Sequence, residues 1–208
     1  MEPQDHRPAT PADALAELLC GNERFVAGNL THPHQNAEHR AAVANGQRPF
    51  AVVFGCSDSR LAAEIIFDRG LGDLFVVRTA GHIIGAEVLA SIEYGVTVLG
   101  APLVVVLAHD SCGAIQAAHQ ALNGDIPPNR NLRAIIDRVV PSIRKAHSRQ
   151  ITDYDEISEV HLSRTVGRII RRGTLVAEAV AEGRCAVVGM SYRLAEGRVT
   201  VVTGTGVG

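Results

Sequence analysis

The sequence predicts an α/β fold: a central, mostly parallel β-sheet with an antiparallel edge strand and helices on both faces. Two observations carry that prediction. Between residues 50 and 202, short continuous apolar runs alternate with segments of helical period; such runs are the pattern of strands covered on both sides. The last strand begins only six residues after its predecessor ends. That is too short for a parallel crossover, so it is antiparallel and lies at an edge.

The elements follow in order. Residues 1–9 are polar and read as disordered. Residues 10–49 read as an N-terminal helical arm. Thr10 is an N-cap, Pro11 takes the first helical position, and Asp13 adds an acid to the first turn. Leu15, Leu18, Leu19, Phe25 and Val26 form an apolar stripe on this helix. Nothing in the next twenty residues can bury it, so it packs elsewhere on the fold or on another subunit. Residues 28–49 are polar and loop-rich, with His32, Pro33, His34 and His39.

Strands are expected over Phe50–Gly55, Asp73–Val77, Leu103–Ala108, Cys185–Tyr192 and Arg198–Val202. Helices are expected over Ala62–Asp68, Ala86–Leu99, Gly113–Leu122, Leu132–Ala146 and Val160–Ala181. Asn123–Arg130 reads as a loop. The terminal Thr203–Gly208, with alternating glycines, follows a strand but precedes no helix. It is therefore no dinucleotide fingerprint and reads as a flexible tail. No repeat or second domain is evident: 1–208 reads as one domain, with its core at 50–202.

Composition excludes several classes. The chain has 208 residues, 46% hydrophobic and 20% charged, with a net charge of −2. That is globular, and it lacks the basic block that nucleic acid requires. Apolar runs reach about seven residues, far short of the ~20 that span a bilayer. The start lacks the features of a secretory signal, so a cytoplasmic location is expected. In a reducing compartment the four cysteines are not expected to form disulfides. Cys20 and Cys185 read as small buried hydrophobes.

Cys56-Ser-Asp-Ser-Arg60 and His109-Asp-Ser-Cys112 carry the chemistry. Each directly follows a buried-strand run, so two neighbouring strand ends converge Cys56, His109 and Cys112 on one point. Two sulfurs and an imidazole suit zinc, and three ligands with one open position is its catalytic pattern. Asp58 has two possible roles: fourth ligand, or acceptor for a hydrogen bond from water at the open position. Arg60, two residues on, favours the second by holding the carboxylate in a two-pronged ion pair. Gly113 opens a helix, where its N–H can meet an anion. Asp110 reads as solvated, His82 as a loop or hydrogen-bonding residue, and the histidines at 32, 34 and 39 as surface.

With Phe75-Val-Val-Arg-Thr-Ala-Gly-His82 and Ser91-Ile-Glu-Tyr94 added, the chain resembles the β-class carbonic anhydrases over about residues 11–202, closest to their actinobacterial branch. The resemblance implies one Zn2+ per chain on Cys56, His109 and Cys112, with Asp58 and Arg60 as an orienting dyad. It implies reversible hydration of carbon dioxide to bicarbonate and a proton, by a zinc-bound hydroxide. Gln47, Phe75, Ala80 and Tyr94 would line the substrate cleft. The arm would embrace a partner subunit, and Gln47 would come from the neighbour. The assembly would be a homodimer or a dimer of dimers. Two rival readings remain: a related hydrolase of a small linear substrate such as carbon disulfide, and a non-catalytic zinc protein with Asp58 as permanent fourth ligand.

Overall fold

The computed structural model describes residues 7–124 and 129–207. Five strands form one sheet in the order β2-β1-β3-β4-β5. They are β1 (Ala51–Cys56), β2 (Leu74–Thr79), β3 (Leu103–His109), β4 (Ala186–Tyr192) and β5 (Val199–Thr205). The first four are parallel and β5 is antiparallel to β4. The fold class is as the sequence predicts.

Every residue of β1, β3 and β4 is buried. Alternate side chains feed two cores. Val53, Val105 and Val188 join one with Leu18 and Ile143; Val52, Val104 and Val187 join the other with Ile92 and Ile169. The first core is closed by α1 (Pro11–Val26), α3 (Ala63–Ile66), α5 (Gly113–Leu122) and α6 (Arg130–His147). The second is closed by α4 (Ala86–Thr97), most of α7 (Tyr154–Arg172) and α8 (Thr174–Ala181). A short helix α2 (Ala37–Ala42) lies in the arm, with no buried residue.

The α1 stripe is covered in part by its own chain: Leu18 is buried, while Leu15, Leu19, Phe25 and Val26 stay half-buried. Ala14 and Leu18 are fully buried in the first core. Asn22 donates to the carbonyls of Ile66 and Gly197 and accepts from the Val199 N–H, tying α1 to α3 and β5. Asp68 is 2% exposed and accepts from Arg24, Thr31 and His32, pinning the start of the arm loop.

Several expectations change. The helix expected over 160–181 is two helices. They break at Gly173, where a Cβ would stand 2.8 Å from the Ile169 carbonyl oxygen. The supposed tail continues β5: Gly204 and Thr205 pair with Val188 and Val187 beyond a bulge at Gly189/Met190. Helical residues 37–42 lie within the expected loop, because Asn36 caps the His39 N–H. Cys20 is exposed rather than buried, on the face of α1 away from the core. The disorder expected over 1–9 falls mostly on residues outside those described, but Arg7 is anchored on the Pro49 and Gly100 carbonyls. Residues 125–128 of the expected loop also lie outside the description.

The sheet order places the site. From β1 the chain moves to β2 on one side and then to β3 on the other. A crevice opens at the carboxyl ends of strands where such a reversal occurs. Gly55 pairs with Leu107, so Cys56 and His109 end adjacent strands at that crevice.

Candidate metal centre

Cys56 closes β1, His109 closes β3, and Cys112 caps α5. Their ligand atoms lie within 4.8 Å of one another, and all three residues are buried. Around a tetrahedral zinc such atoms stand about 3.4–3.8 Å apart, so a bound ion asks for about 1.4 Å of closure at most.

The imidazole is set for a metal. His109 Nδ1 donates to the Asp110 carbonyl at 2.7 Å, leaving the Nε2 lone pair free. Nε2 is buried and has no hydrogen-bond partner. An orphaned, inward-facing acceptor beside two sulfurs fits a soft divalent ion better than magnesium or calcium. Cys112 pushes the Cys56 thiol well down, while Cys56 and burial push Cys112 up.

Asp58 and Arg60 form the two-pronged pair that their spacing predicts. Arg60 Nε donates to Oδ1 at 2.9 Å and Nη2 to Oδ2 at 2.7 Å, and the Arg60 backbone N–H adds a third bond to Oδ1. The guanidinium holds the Asp58 carboxyl well below the usual carboxylate range. Asp58 Oδ2 stands 4.0 Å from His109 Nε2, beside the cluster but claimed by Arg60.

The remaining expected residues fall in two groups. Ala80 and Gly113 flank the cluster. Thr79 pairs with Cys56, so Ala80 begins the turn beside it, and Gly113 directly follows Cys112. A Cβ at Gly113 would meet nothing within 4 Å, so neither packing nor backbone forces glycine there, and open space lies above α5. Gln47, Phe75 and Tyr94 are not brought to the cluster within one chain. Phe75 is level with Val52, four residues before Cys56 and therefore about 13 Å along the strand. Tyr94 lies beside Phe75 in a tilted contact, with ring centroids 6.0 Å apart. Gln47 precedes β1, at its opposite end from Cys56.

Other residues near the cluster had no role assigned from sequence. Arg78 Nε donates to the Cys56 carbonyl at 3.0 Å and its Nη2 to the Asp58 carbonyl at 2.5 Å, bracing the loop that carries the dyad. Ser158 donates to the His109 carbonyl. Asp110 is engaged rather than solvated, because its carboxylate accepts the Leu194 N–H at 3.0 Å. Asp155, paired with Arg193, accepts the Ser111 N–H. Only Arg78 carried a signal, by standing inside a recognisable motif; Ser158 and Asp155 come from a distant helix. His82 is fully buried and outside the cluster. His34 pairs with Asp73 and stacks on His39, both at the surface as read. All four cysteines are free.

The carbonic anhydrase family model matches residues 51–199, which hold every residue of the cluster. The chain belongs to the β-class carbonic anhydrases. Carbonic anhydrase 2 of Mycobacterium tuberculosis is 50% identical over 191 residues, covering 92% of each chain. A carbonic anhydrase of Mycolicibacterium smegmatis is 51% identical over 92% of this chain and 93% of its own. The actinobacterial likeness read from the motifs therefore holds over nearly the whole length. A tetrameric β-carbonic anhydrase from Sordaria macrospora superposes with a TM-score of 0.73 at 24% identity, covering 93% of this chain and 99% of that one. A Coccomyxa β-carbonic anhydrase in complex with acetazolamide gives 0.70 at 22% identity, covering 95% and 88%. At those identities the likeness speaks to the fold. Among the described residues no helix is long and apolar enough to cross a membrane.

Proposed function

We propose that this chain hydrates carbon dioxide reversibly to bicarbonate and a proton, with zinc held by Cys56, His109 and Cys112. One observation carries the reading: the buried three-donor cluster lies beside a carboxylate whose two oxygens are already taken by Arg60. Zinc in that donor set supplies a Lewis acid that ionises water near neutral pH. Asp58 then accepts one O–H of the attacking water as a hydrogen bond and fixes its orientation. Arg60 keeps Asp58 ionised and off the metal. The Gly113 N–H, at the first turn of α5, donates to oxygen charge as it develops. Ala80 leaves a small wall that admits a linear triatomic substrate.

The cleft is completed by a second copy. Gln47, Phe75 and Tyr94 lie far from their own cluster, and Tyr94 is 45% exposed. β2 is an edge strand whose residues, apolar on both faces, are all half-buried or exposed in the single chain. A homodimer covers that edge and carries those three residues to the partner's cluster; pairing of dimers then gives a tetramer like that of the Sordaria protein. The arm, residues 10–49, and the core, residues 50–202, work as one unit in this assembly.

Stopped-flow hydration of carbon dioxide on metal-quantified protein, from pH 6.5 to 9, tests the activity. Turnover at one zinc per chain, rising with pH, supports it. No turnover at any pH with zinc bound overturns it. That outcome would favour the second reading, a closed site, which the 4.0 Å approach of Asp58 to His109 keeps open. Mixing Cys56→Ser with Gln47→Ala subunits tests the shared cleft, because mixed dimers then hold one intact site.

A further inference from the structure

One hydrogen-bonded chain reaches the cluster from outside it. Gly81 donates its N–H to Cys56 Sγ at 3.3 Å. The Gly81 carbonyl accepts from His161 Nε2 at 3.0 Å. His161 Nδ1 in turn meets Ser142 Oγ at 2.8 Å. Ser142 and His161 are each 2% exposed, and they stand on different helices, α6 and α7. Burial pushes the His161 imidazole down to about 4, so it is neutral. A neutral ring that donates from Nε2 accepts at Nδ1, so Ser142 donates its hydroxyl proton and fixes the tautomer.

Thr79 Oγ1 donates to the Ile83 carbonyl at 3.0 Å across the ends of this turn, and the Gly81 peptide between them is held by the two bonds just described. Gly81 (φ 65°) and His82 (φ 40°) are successive left-handed residues, and the second has a side chain. A side chain makes that left-handed conformation costly. A Cβ at Gly81 would stand 2.7 Å from Ala114 Cβ, in the first turn of the helix that Cys112 caps. The turn is therefore wedged between two expected metal ligands. The His82 ring lies 4.6 Å from that of His161, and neither of its nitrogens has a hydrogen-bond partner. His82 packs against the gripping residue without gripping anything.

We infer that Ser142 and His161 are positioning residues that hold the Gly81 N–H on Cys56 Sγ and so set how much electron density that sulfur gives a bound metal. The inference rests on the metal reading of the cluster. An N–H donor on a metal thiolate withdraws charge from sulfur and leaves the metal a stronger Lewis acid; partners one layer out from the ligands tune sites in this way. Without the grip, the strained turn relaxes, the N–H leaves the sulfur, and the site becomes more electron-rich.

The test compares wild type with Ser142→Ala, His161→Leu and His161→Gln. Glutamine keeps a donor near the Nε2 position, and alanine removes only the tautomer lock. Cobalt(II) replaces zinc at measured stoichiometry, and the sulfur-to-cobalt charge-transfer band is recorded. The pH profile of turnover is recorded on the zinc forms. In His161→Leu the band should move to lower energy and the midpoint of the profile should rise by about half a pH unit or more. Ser142→Ala should move both the same way by less, and His161→Gln should restore both towards wild type. An unmoved band and midpoint in folded His161→Leu overturn the inference. If that variant does not fold, the same null result in Ser142→Ala overturns it. Wild type that takes up no metal would instead sink the metal reading.

Discussion

Removing the Arg60 side chain tests the proposal that Arg60 keeps Asp58 off the metal. Arg60→Ala deletes both side-chain bonds to Asp58 but keeps the backbone N–H on Oδ1. Oδ2 is released, and it is the oxygen that already stands 4.0 Å from His109 Nε2. A nitrogen and an oxygen bound to one tetrahedral zinc lie about 3.4 Å apart. Oδ2 therefore needs to close by only about 0.6 Å to become a ligand, which rotation about the Asp58 side chain supplies with Oδ1 still anchored. The variant should keep one zinc per chain and lose turnover by roughly a hundredfold at neutral pH, since its hydrogen-bond acceptor is spent on the metal. X-ray absorption at the zinc edge should show two sulfurs, one nitrogen and a carboxylate oxygen. Arg60→Lys, which offers one donor point in place of a fork, should fall between. Wild-type turnover in the zinc-loaded alanine variant would refute the reasoning, as would a crystal structure with Oδ2 still 4 Å from His109.

Cys112→Ser should purify with much less than one zinc per chain and with no turnover, read by metal analysis beside stopped flow; full zinc content would count against its place in the cluster. Asp68→Ala removes the buried acceptor of Arg24, Thr31 and His32 and should cost about 3 kcal/mol, read as a lowered urea midpoint. Part of the pH dependence of stability follows from His161, whose pKa falls from 6.5 to about 4 on folding; burial pushes the neighbouring His82 down in the same direction. A depressed histidine contributes stability above its unfolded pKa, and the contribution fades as pH falls from 6.5 through 4. About 3 kcal/mol should go across that window, and His161→Gln should flatten this part of the curve; an identical slope in the variant would contradict it. Gly21→Ala places a Cβ 1.9 Å from the Phe67 carbonyl oxygen and should loosen α1 from α3, seen as faster amide exchange in both.

The sheet and the metal cluster were legible because each rests on short-range pattern. Val52–Phe54 and Val104–Val106 are continuous apolar runs, and each leads directly into its ligand motif, so strand and site announce each other. The Asp58–Arg60 pair was legible for the same reason, since two residues of separation brings both to one loop. What the pattern missed depends on distance. Nothing local to Ser158, Asp155 or His161 says that α7 passes behind the cluster, and an amphipathic helix shows only that it is buried. The break at Gly173 was missed because helical period runs through it; Leu89, on a different helix, and the Ile169 carbonyl leave no room for a side chain there. Thr203–Gly206 reads as tail because glycine favours turns, yet strand pairing with Val187 and Val188 overrides that preference. The two-fold grouping of Ala80 and Gly113 against Gln47, Phe75 and Tyr94 is a property of strand register, which a one-dimensional reading does not contain.

The order of the donors along the chain has a consequence for biosynthesis. His109 and Cys112 are three residues apart and meet as soon as β3 runs into α5. Cys56 leaves the ribosome more than fifty residues earlier and stands alone until β3 lies beside β1. A partly made chain therefore offers only one thiolate, a poor trap for any ion. Three donors converge only once β1 and β3 lie side by side, so a metal bound there would add its binding energy to that pairing.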